Sequence, residues 1–314
     1  MNPFGDDRPL VSVVIPMFQA ASWIDKTLAT VSDQTYPHFE IIVVDDGSTD
    51  RGAEIVAEFA AGSEKPVQLL QTTNSGVAAA RNIGIEESTG TFIALLDADD
   101  LWHPRKLELQ VASLEHSGAP MCTCGFEYFD DRTGRRTGLV RVRDGSAALR
   151  GWMSLEGNGL ALASAALISR PALDELRLFD SKFSVSADLD FALRMADVGH
   201  IDSLPQVLVR YRIHAQQMHR NIGGLVSDVH LLYDRVFAGG ESPSFERRCR
   251  ANLSAHIGYW YLQRGQVKFA FPNLWRSIRR DPRRVFTLPV RALFRRLGRR
   301  TRLWGSGRSS GWTS

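Results

Sequence analysis

Thr91 to Trp102 reads TFIALLDADDLW, and its ending decides the fold. Mostly apolar, strand-forming residues run straight into three carboxylates, Asp97, Asp99 and Asp100. A buried strand that stops this way delivers negative charge to the margin of a sheet. Clustered carboxylates raise one another's pKa unless a cation sits among them. Oxygen donors of this kind suit Mg²⁺, Mn²⁺ or Ca²⁺. The same residues also suit ordinary turn and cap chemistry before the helix that Pro104 announces. A second acidic strand end upstream weighs toward the metal: Glu40 to Val44 is apolar after its first residue and meets Asp45, Asp46 and Gly47.

Working outward, Val11 to Ile15 is a strand candidate stopped by Pro16, and Val67 to Gln71 is another. Helical spacing separates these runs. Ser22 to Ser32 reads as a helix in which Ser22 and Asp25 are spaced like a capping box. Asp50 to Ala60 carries Ile55, Val56 and Phe59 on one stripe, and Gly76 to Glu86 follows the same period. The helix after Pro104 has Leu107, Val111 and Leu114 on one side. Strand–helix alternation at this spacing predicts an α/β fold with a mostly parallel sheet flanked by helices. Runs such as IIVV suit strands covered on both faces. Ligands of such sheets bind beyond the carboxyl ends of the strands, where both acidic clusters fall.

Past residue 120 the alternation loosens. Met121 to Phe129 and Ala163 to Ile168 are strand candidates, and Ser186 to Val198 is a helix closed by Gly199. Beyond about 221 strand signals fade. The expected organisation is one α/β domain over 1–220 and a helical region over 221–314 with a basic amphipathic tail.

Of the 314 residues, 44% are hydrophobic and 23% charged, as in soluble globular proteins. Three cysteines give neither a zinc pattern nor a disulfide framework, so a reducing compartment is expected. No apolar run approaches the roughly 20 residues of a membrane span. The first residues, MNPFGDDRPL, are too polar for a secretory signal, so the expectation is cytoplasmic. The net charge of +3 is unevenly placed: Arg276 to Arg302 holds eleven arginines and one acid, Asp281. Val290, Leu293, Phe294, Leu297 and Trp304 fall near one stripe among them. Such a segment predicts peripheral attachment to an anionic membrane surface; packing on the chain's own acidic body is the plainer alternative. No aromatic-interleaved basic motif points to nucleic acid.

The strings SVVIPMFQA, IIVVDDGSTD, NSGVAAARNIGI and FIALLDADDLWHP, in that order, resemble the family 2 glycosyltransferases. The likeness covers roughly residues 10 to 215. It implies the GT-A fold, a Rossmann-like arrangement, and inverting transfer of sugar from a nucleotide donor, in cell-surface polysaccharide or glycolipid synthesis. By the same resemblance Pro16 and Phe18 lie beside the base, and Asp46, with Asp45, accepts a hydrogen bond from its ring N–H. An accepting carboxylate suits uracil, thymine or guanine, hence UDP-, dTDP- or GDP-linked donors. Arg81 and Asp97 face the nucleotide, and Asp99 and Asp100 approach ribose and a Mn²⁺ or Mg²⁺ ion.

The family's catalytic base precedes a Trp/Leu-rich run, and SVSADLDFALR is the matching string, with Asp188 as base. Ala187 stands where the family usually has Glu, and Asp190 falls on another helix face. In VRYRIHAQQ, Arg212 matches a phosphate-binding position and His214 a metal or phosphate ligand. The resemblance implies an acceptor that is a saccharide or is lipid-linked. Membrane spans and a Gln-x-x-Arg-Trp motif, usual in processive relatives, are not found. Two alternatives stay open: a nucleotidyltransferase, against which the non-glycine-rich PMFQAASW argues, and a donor-binding protein whose base has decayed.

Overall fold

The apolar runs of the first half become adjacent strands of one sheet. The computed structural model describes residues 8–142, 144–156, 162–215 and 222–283. Chain order begins β1 (Val11–Met17), α1 (Ile24–Ser32), β2 (Phe39–Asp45), α2 (Gly52–Gly62), β3 (Val67–Gln71), α3 (Val77–Glu86) and β4 (Phe92–Leu95). Next come β5 (Leu101–Trp102), α4 (Lys106–Ser117), β6 (Met121–Asp130), β7 (Arg136–Val140), α5 (Gly145–Met153) and α6 (Leu162–Ala165). Then follow β8 (Leu167–Ser169), α7 (Arg170–Asp174), α8 (Ala187–Val198) and β9 (Ile201–Ile213). Three helices close the described chain: α9 (Ile222–Ala238), α10 (Pro243–Gln263) and α11 (Val267–Arg280).

Among the described residues the sheet order is β3-β2-β1-β4-β8-β6-β9-β5, with β7 on β6. β1 to β4 pair in parallel, as do β6 and β9, while β5, β7 and β8 run antiparallel to their neighbours. This is the mostly parallel, helix-flanked α/β sheet expected from the alternation. Val13, Val14, Ile41 to Val44 and Ile93 to Leu95 are buried, which explains their unbroken apolarity. Each Val, Ile or Leu among them contributes about 1.5–3 kcal/mol relative to exposure. Gly84 lets α3 lie close on β1, for a Cβ there would come 2.4 Å from Val14 Cγ1.

Register sets the functional margin. Met17 pairs with Asp45 and Val14 with Leu95, so β2, β1 and β4 end side by side and send Asp46, Phe18 and Asp97 off one edge.

Three local expectations are corrected. Pro16 does not stop β1, which continues to Met17. Val14 turns its carbonyl to β4 and Met17 its carbonyl to β2, so alternation aims Pro16 toward β4, beyond the last β1–β4 pair at Val14–Leu95. Its missing N–H therefore costs the sheet no ladder bond. Ser22 makes no capping box; α1 starts at Ile24 without a side-chain cap, after a turn in which Trp23 and Ile24 donate to the Ala20 carbonyl. Ala163 to Ile168 is not one strand but the end of α6 and the start of β8.

The described residues divide into two compact units. One contains 8–149 and 162–215, the other 150–156 and 222–283. The first holds the sheet; the second is helical. No helix among the described residues is long and apolar enough to cross a membrane. The arginine-rich stripe of Pro289 to Trp304 lies outside the described residues.

Candidate active site

Two loops at the strand ends are tied together before any ligand is considered. Gln19 takes a left-handed backbone, φ 52°, uncommon for a residue other than glycine. Four hydrogen bonds hold it: its N–H donates to Ser48 Oγ at 2.9 Å, its Nε2 to Thr49 Oγ1 at 2.9 Å, and its Oε1 accepts from the N–H groups of Thr49 and Asp50. Asp50 adds a bond from the Ala21 N–H. Phe18, beside this staple, is 50% exposed, while Pro16 is buried within β1.

Asp45 and Asp46 are buried at the end of β2. Asp45 Oδ1 accepts from the Ser48 N–H at 3.0 Å. Asp46 accepts from the N–H groups of Ser75 and Gly76, both at 2.8 Å, one on each oxygen. It thus fixes the entry to α3 as a remote cap; Oδ1 also accepts from Thr72 Oγ1 at 3.4 Å, and Oδ2 retains a lone pair. Gly47, at φ 78°, lets the chain turn under Asn74.

Asp97 to Asp100 form a turn closed by the Asp100 N–H on the Asp97 carbonyl at 3.1 Å. The turn alternates its side chains: Asp97 and Asp99 are half-buried, while Ala98 and Asp100 are buried. Asp100 accepts from Ser164 Oγ at 2.6 Å and from the Arg212 N–H at 3.0 Å, one on each oxygen. Burial, then Asp99 and Asp97, push its carboxyl well above the ordinary range. Asp100 was expected among the metal ligands; it faces inward with both oxygens engaged, as an internal brace of the turn.

Arg212 is also turned inward. Its Nε donates to the Asp99 carbonyl at 2.6 Å, its Nη1 to Asp131 at 2.7 Å, and its guanidinium lies 4.7 Å from the Phe129 ring centroid. The expected phosphate contact is not its visible use; it fixes the backbone from which Asp99 projects. Burial works to raise the Asp131 carboxyl, but the Arg212 and Trp23 hydrogen bonds bring it below its usual value. Asp99 Oδ2 lies 2.8 Å from His214 Nε2, and the His214 ring sits 4.1 Å from that of Trp23.

Arg81 connects the acidic turn to α8. It donates to Asp97 Oδ1 at 2.7 Å, and its Nε is buried without a partner among the described residues. Its guanidinium lies 5.4 Å from the Phe179 ring, which stacks on Phe191 of α8 at 4.4 Å. Asn82 bonds the Phe179 backbone through both its amide oxygen and nitrogen at 2.9 Å. These contacts set Asp188, in the first turn of α8, near Arg81 and Asp97. Burial pushes the Asp188 carboxyl up to about 6; Arg81 opposes the rise and Asp97 adds to it. Asp190 is buried and paired with Arg194 at 2.9 Å, a structural role.

Two site residues escaped the sequence reading. Tyr211, on β9 with its ring 5.5 Å from that of Tyr128, has its phenol held far above its usual value by burial, then by the charges of Asp100, Asp97, Asp99 and Asp188. It adjoins Arg212 in a string already marked, so that string could have pointed to it. Ser164 bonds Asp100 and also accepts from the Asp97 N–H at 3.1 Å. Nothing in its local sequence announces that.

Among the described residues no three His, Cys, Asp or Glu side chains converge as a ready metal cage. Asp99 and His214, in contact, still make a two-donor set of carboxylate and imidazole. This suits an ion that completes its shell with diphosphate oxygens and water, the usual manner of Mg²⁺ with substrate phosphates.

The description Glycosyl transferase family 2 matches residues 12–177. The chain belongs to that family. A putative teichuronic acid biosynthesis glycosyltransferase, TuaG, of Bacillus subtilis (strain 168) is 41% identical over 104 residues, 33% of this chain and 41% of that protein. The chain spans less than half the length of that relative and of several rickettsial ones. Among solved structures, S. aureus TarS 1-349 in complex with UDP-GlcNAc superimposes with TM-score 0.65 at 17% identity, covering 88% of this chain and 83% of that one. The mannosyltransferase PcManGT of Pyrobaculum calidifontis, in complex with GDP-Man and Mn²⁺, gives 0.60 at 20% identity, with 95% and 88% covered. At these identities the likeness establishes the fold, which this family 2 chain shares with both.

Proposed function

We propose that this family 2 chain moves a sugar from a nucleoside-diphosphate donor to an acceptor hydroxyl, with inversion and without processive extension. The supporting observation is one strand-end margin that gathers Phe18, Asp46, Arg81, Asp97, Asp99 and His214, with half-buried Asp188 at its side. UDP-, dTDP- and GDP-sugars all fit a carboxylate that accepts from a ring N–H, and Phe18 offers its exposed ring for stacking. Asp45 fixes the turn that follows Asp46 by accepting from the Ser48 N–H, and Pro16 lies in the strand end before Phe18.

Asp99 and His214 would hold a Mn²⁺ or Mg²⁺ ion. When bound, such an ion neutralises charge gathering on the departing diphosphate. Arg212 and Asp100 act as positioning residues for Asp99. Asp188 takes the proton from the acceptor hydroxyl as that oxygen bonds the anomeric carbon. The carbon–phosphate oxygen bond breaks on the opposite side, and its electron pair leaves with the nucleoside diphosphate. A base that titrates near 6 is ionised at neutral pH yet basic enough to accept that proton.

The acceptor is a saccharide or lipid-linked saccharide of cell-surface polysaccharide or glycolipid assembly, as the naming of TuaG supports. A cytoplasmic location, peripheral on the inner membrane face, belongs to the same reading.

Ala187, at the position where the family resemblance leads one to expect Glu, favours one competitor, a protein that binds donor without turnover. A thermal-shift screen of UDP, dTDP and GDP with and without Mn²⁺, followed by donor turnover, separates them. The enzyme reading expects ion-dependent stabilisation by one base and release of nucleoside diphosphate. Stabilisation with no release under any acceptor points to the binder, and no stabilisation by any of the three defeats both.

A further inference from the structure

α10 and α11 form a hairpin turned at Gly265. Its inner face is fixed by close contacts. A Cβ on Gly258 would come 2.7 Å from Leu274 Cγ, Ala270 and Ser277 are buried, and Arg280 donates to Ser254 Oγ at 2.9 Å. A neighbouring, solvent-turned face of α11 carries Val267, Phe271 and Trp275, spaced i, i+4, i+8. They are 48%, 66% and 63% exposed. Large apolar side chains lined up in the open mark an interaction surface rather than chance exposure.

The charge around the stripe identifies the partner. α11 contains no acid; Lys268 and Arg279 stand exposed beside Phe271 and Trp275, and Arg276 stands exposed further round the helix. Arginines continue in the sequence beyond it. Basic side chains flanking an aromatic stripe match the phosphates and the apolar boundary layer of an anionic bilayer, where Trp sits most readily. A second copy docked through the same face would press Lys268 and Arg279 against their own counterparts.

We infer that the outer face of α11 is a docking surface for an anionic lipid bilayer, with Phe271 and Trp275 entering the interfacial layer and Lys268 and Arg279 meeting lipid phosphates. This rests on the peripheral-attachment part of the proposed function and gives it a surface other than the arginine run past residue 283.

The test uses the full chain and sedimentation with vesicles of phosphatidylcholine, with and without phosphatidylglycerol. Wild type is compared with a Phe271→Ser/Trp275→Ser double variant and with a variant bearing glutamine at Arg295, Arg296, Arg299 and Arg300. The expected result is co-sedimentation with the anionic vesicles that weakens roughly tenfold or more in the aromatic variant. Donor turnover in buffer stays unchanged in that variant, so failure here and failure of the transfer reading are told apart. Equal sedimentation of wild type and aromatic variant overturns the inference. If only the glutamine variant loses binding, attachment stands and α11 is the wrong surface. A halved mass of the aromatic variant by light scattering, with no vesicle binding by wild type, assigns the face to a second copy instead. A second readout needs no destabilising change. The emission difference between wild type and Trp275→Phe isolates Trp275, which should shift to the blue with anionic vesicles; an unmoved spectrum overturns the inference.

Discussion

The strand-end margin and the α11 face both bring charge to the surface, but they spend it differently. At the margin almost every charged group is answered by the protein itself: Arg81 by Asp97, Arg212 by Asp131 and the Asp99 carbonyl, Asp100 by Ser164. On α11 the bases stand exposed beside apolar side chains with little covering them. A braced cluster keeps a few groups, here Asp99, His214 and Asp188, in place for chemistry. A face left open supplies area and charge to a large partner. Burial separates the two uses where composition does not.

The sharpest way to break the comparison is at Asp188. Asp188→Asn should lower transfer by about 10²–10⁴, the usual worth of a positioned base, in steady-state assays. The same change should raise stability at pH 8. The folded carboxyl titrates near 6, above its ordinary value, so the folded state binds the proton more tightly and loses stability as pH rises through the window from about 4 to 6. Removing the charge recovers roughly 1–3 kcal/mol, readable as a higher Tm at pH 8 and little change at pH 4. The transfer rate of the wild type should climb with pH through about 6 and then level off.

Arg212→Gln comes next. It strips Asp131 and the Asp99 carbonyl of a buried cationic partner and should cost about 2–4 kcal/mol in denaturant titration. Donor affinity should fall with it, because Asp99 loses its fixed backbone. Ser164→Ala should cost about 1–3 kcal/mol by leaving Asp100 one partner short. Trp275→Ser, on the open face, should stay within about 0.5 kcal/mol by the same measurement. A large loss there would mean that α11 is braced after all.

The sheet was legible because buried parallel strands leave continuous apolar runs, and β3 matches its expected span of Val67 to Gln71. Ala163 to Ile168 misled because ASAALI is short and small-residued, without a period to separate helix from strand. The acidic turn was visible as residues, but not as directions. Asp99 and Asp100 are neighbours in sequence, and only the turn at Asp97 sends one outward and the other in. Arg212 matched a phosphate-binding position by resemblance; a sequence shows a cation without showing that Asp131 and the Asp99 carbonyl take its donors. Ser164 was beyond reach: it meets Asp100 from 64 residues away. Tyr211 was nearer to recovery, since the string that holds Arg212 and His214 also holds it.

The central claim is that Asp188 removes the acceptor proton at a donor site built from the strand ends. Single-turnover release of nucleoside diphosphate, measured with saturating donor, acceptor and Mn²⁺ for wild type and Asp188→Asn, tests it most directly. The account predicts unchanged donor affinity and a release rate reduced by about 10²–10⁴ in the variant. Release at the wild-type rate from Asp188→Asn would contradict it.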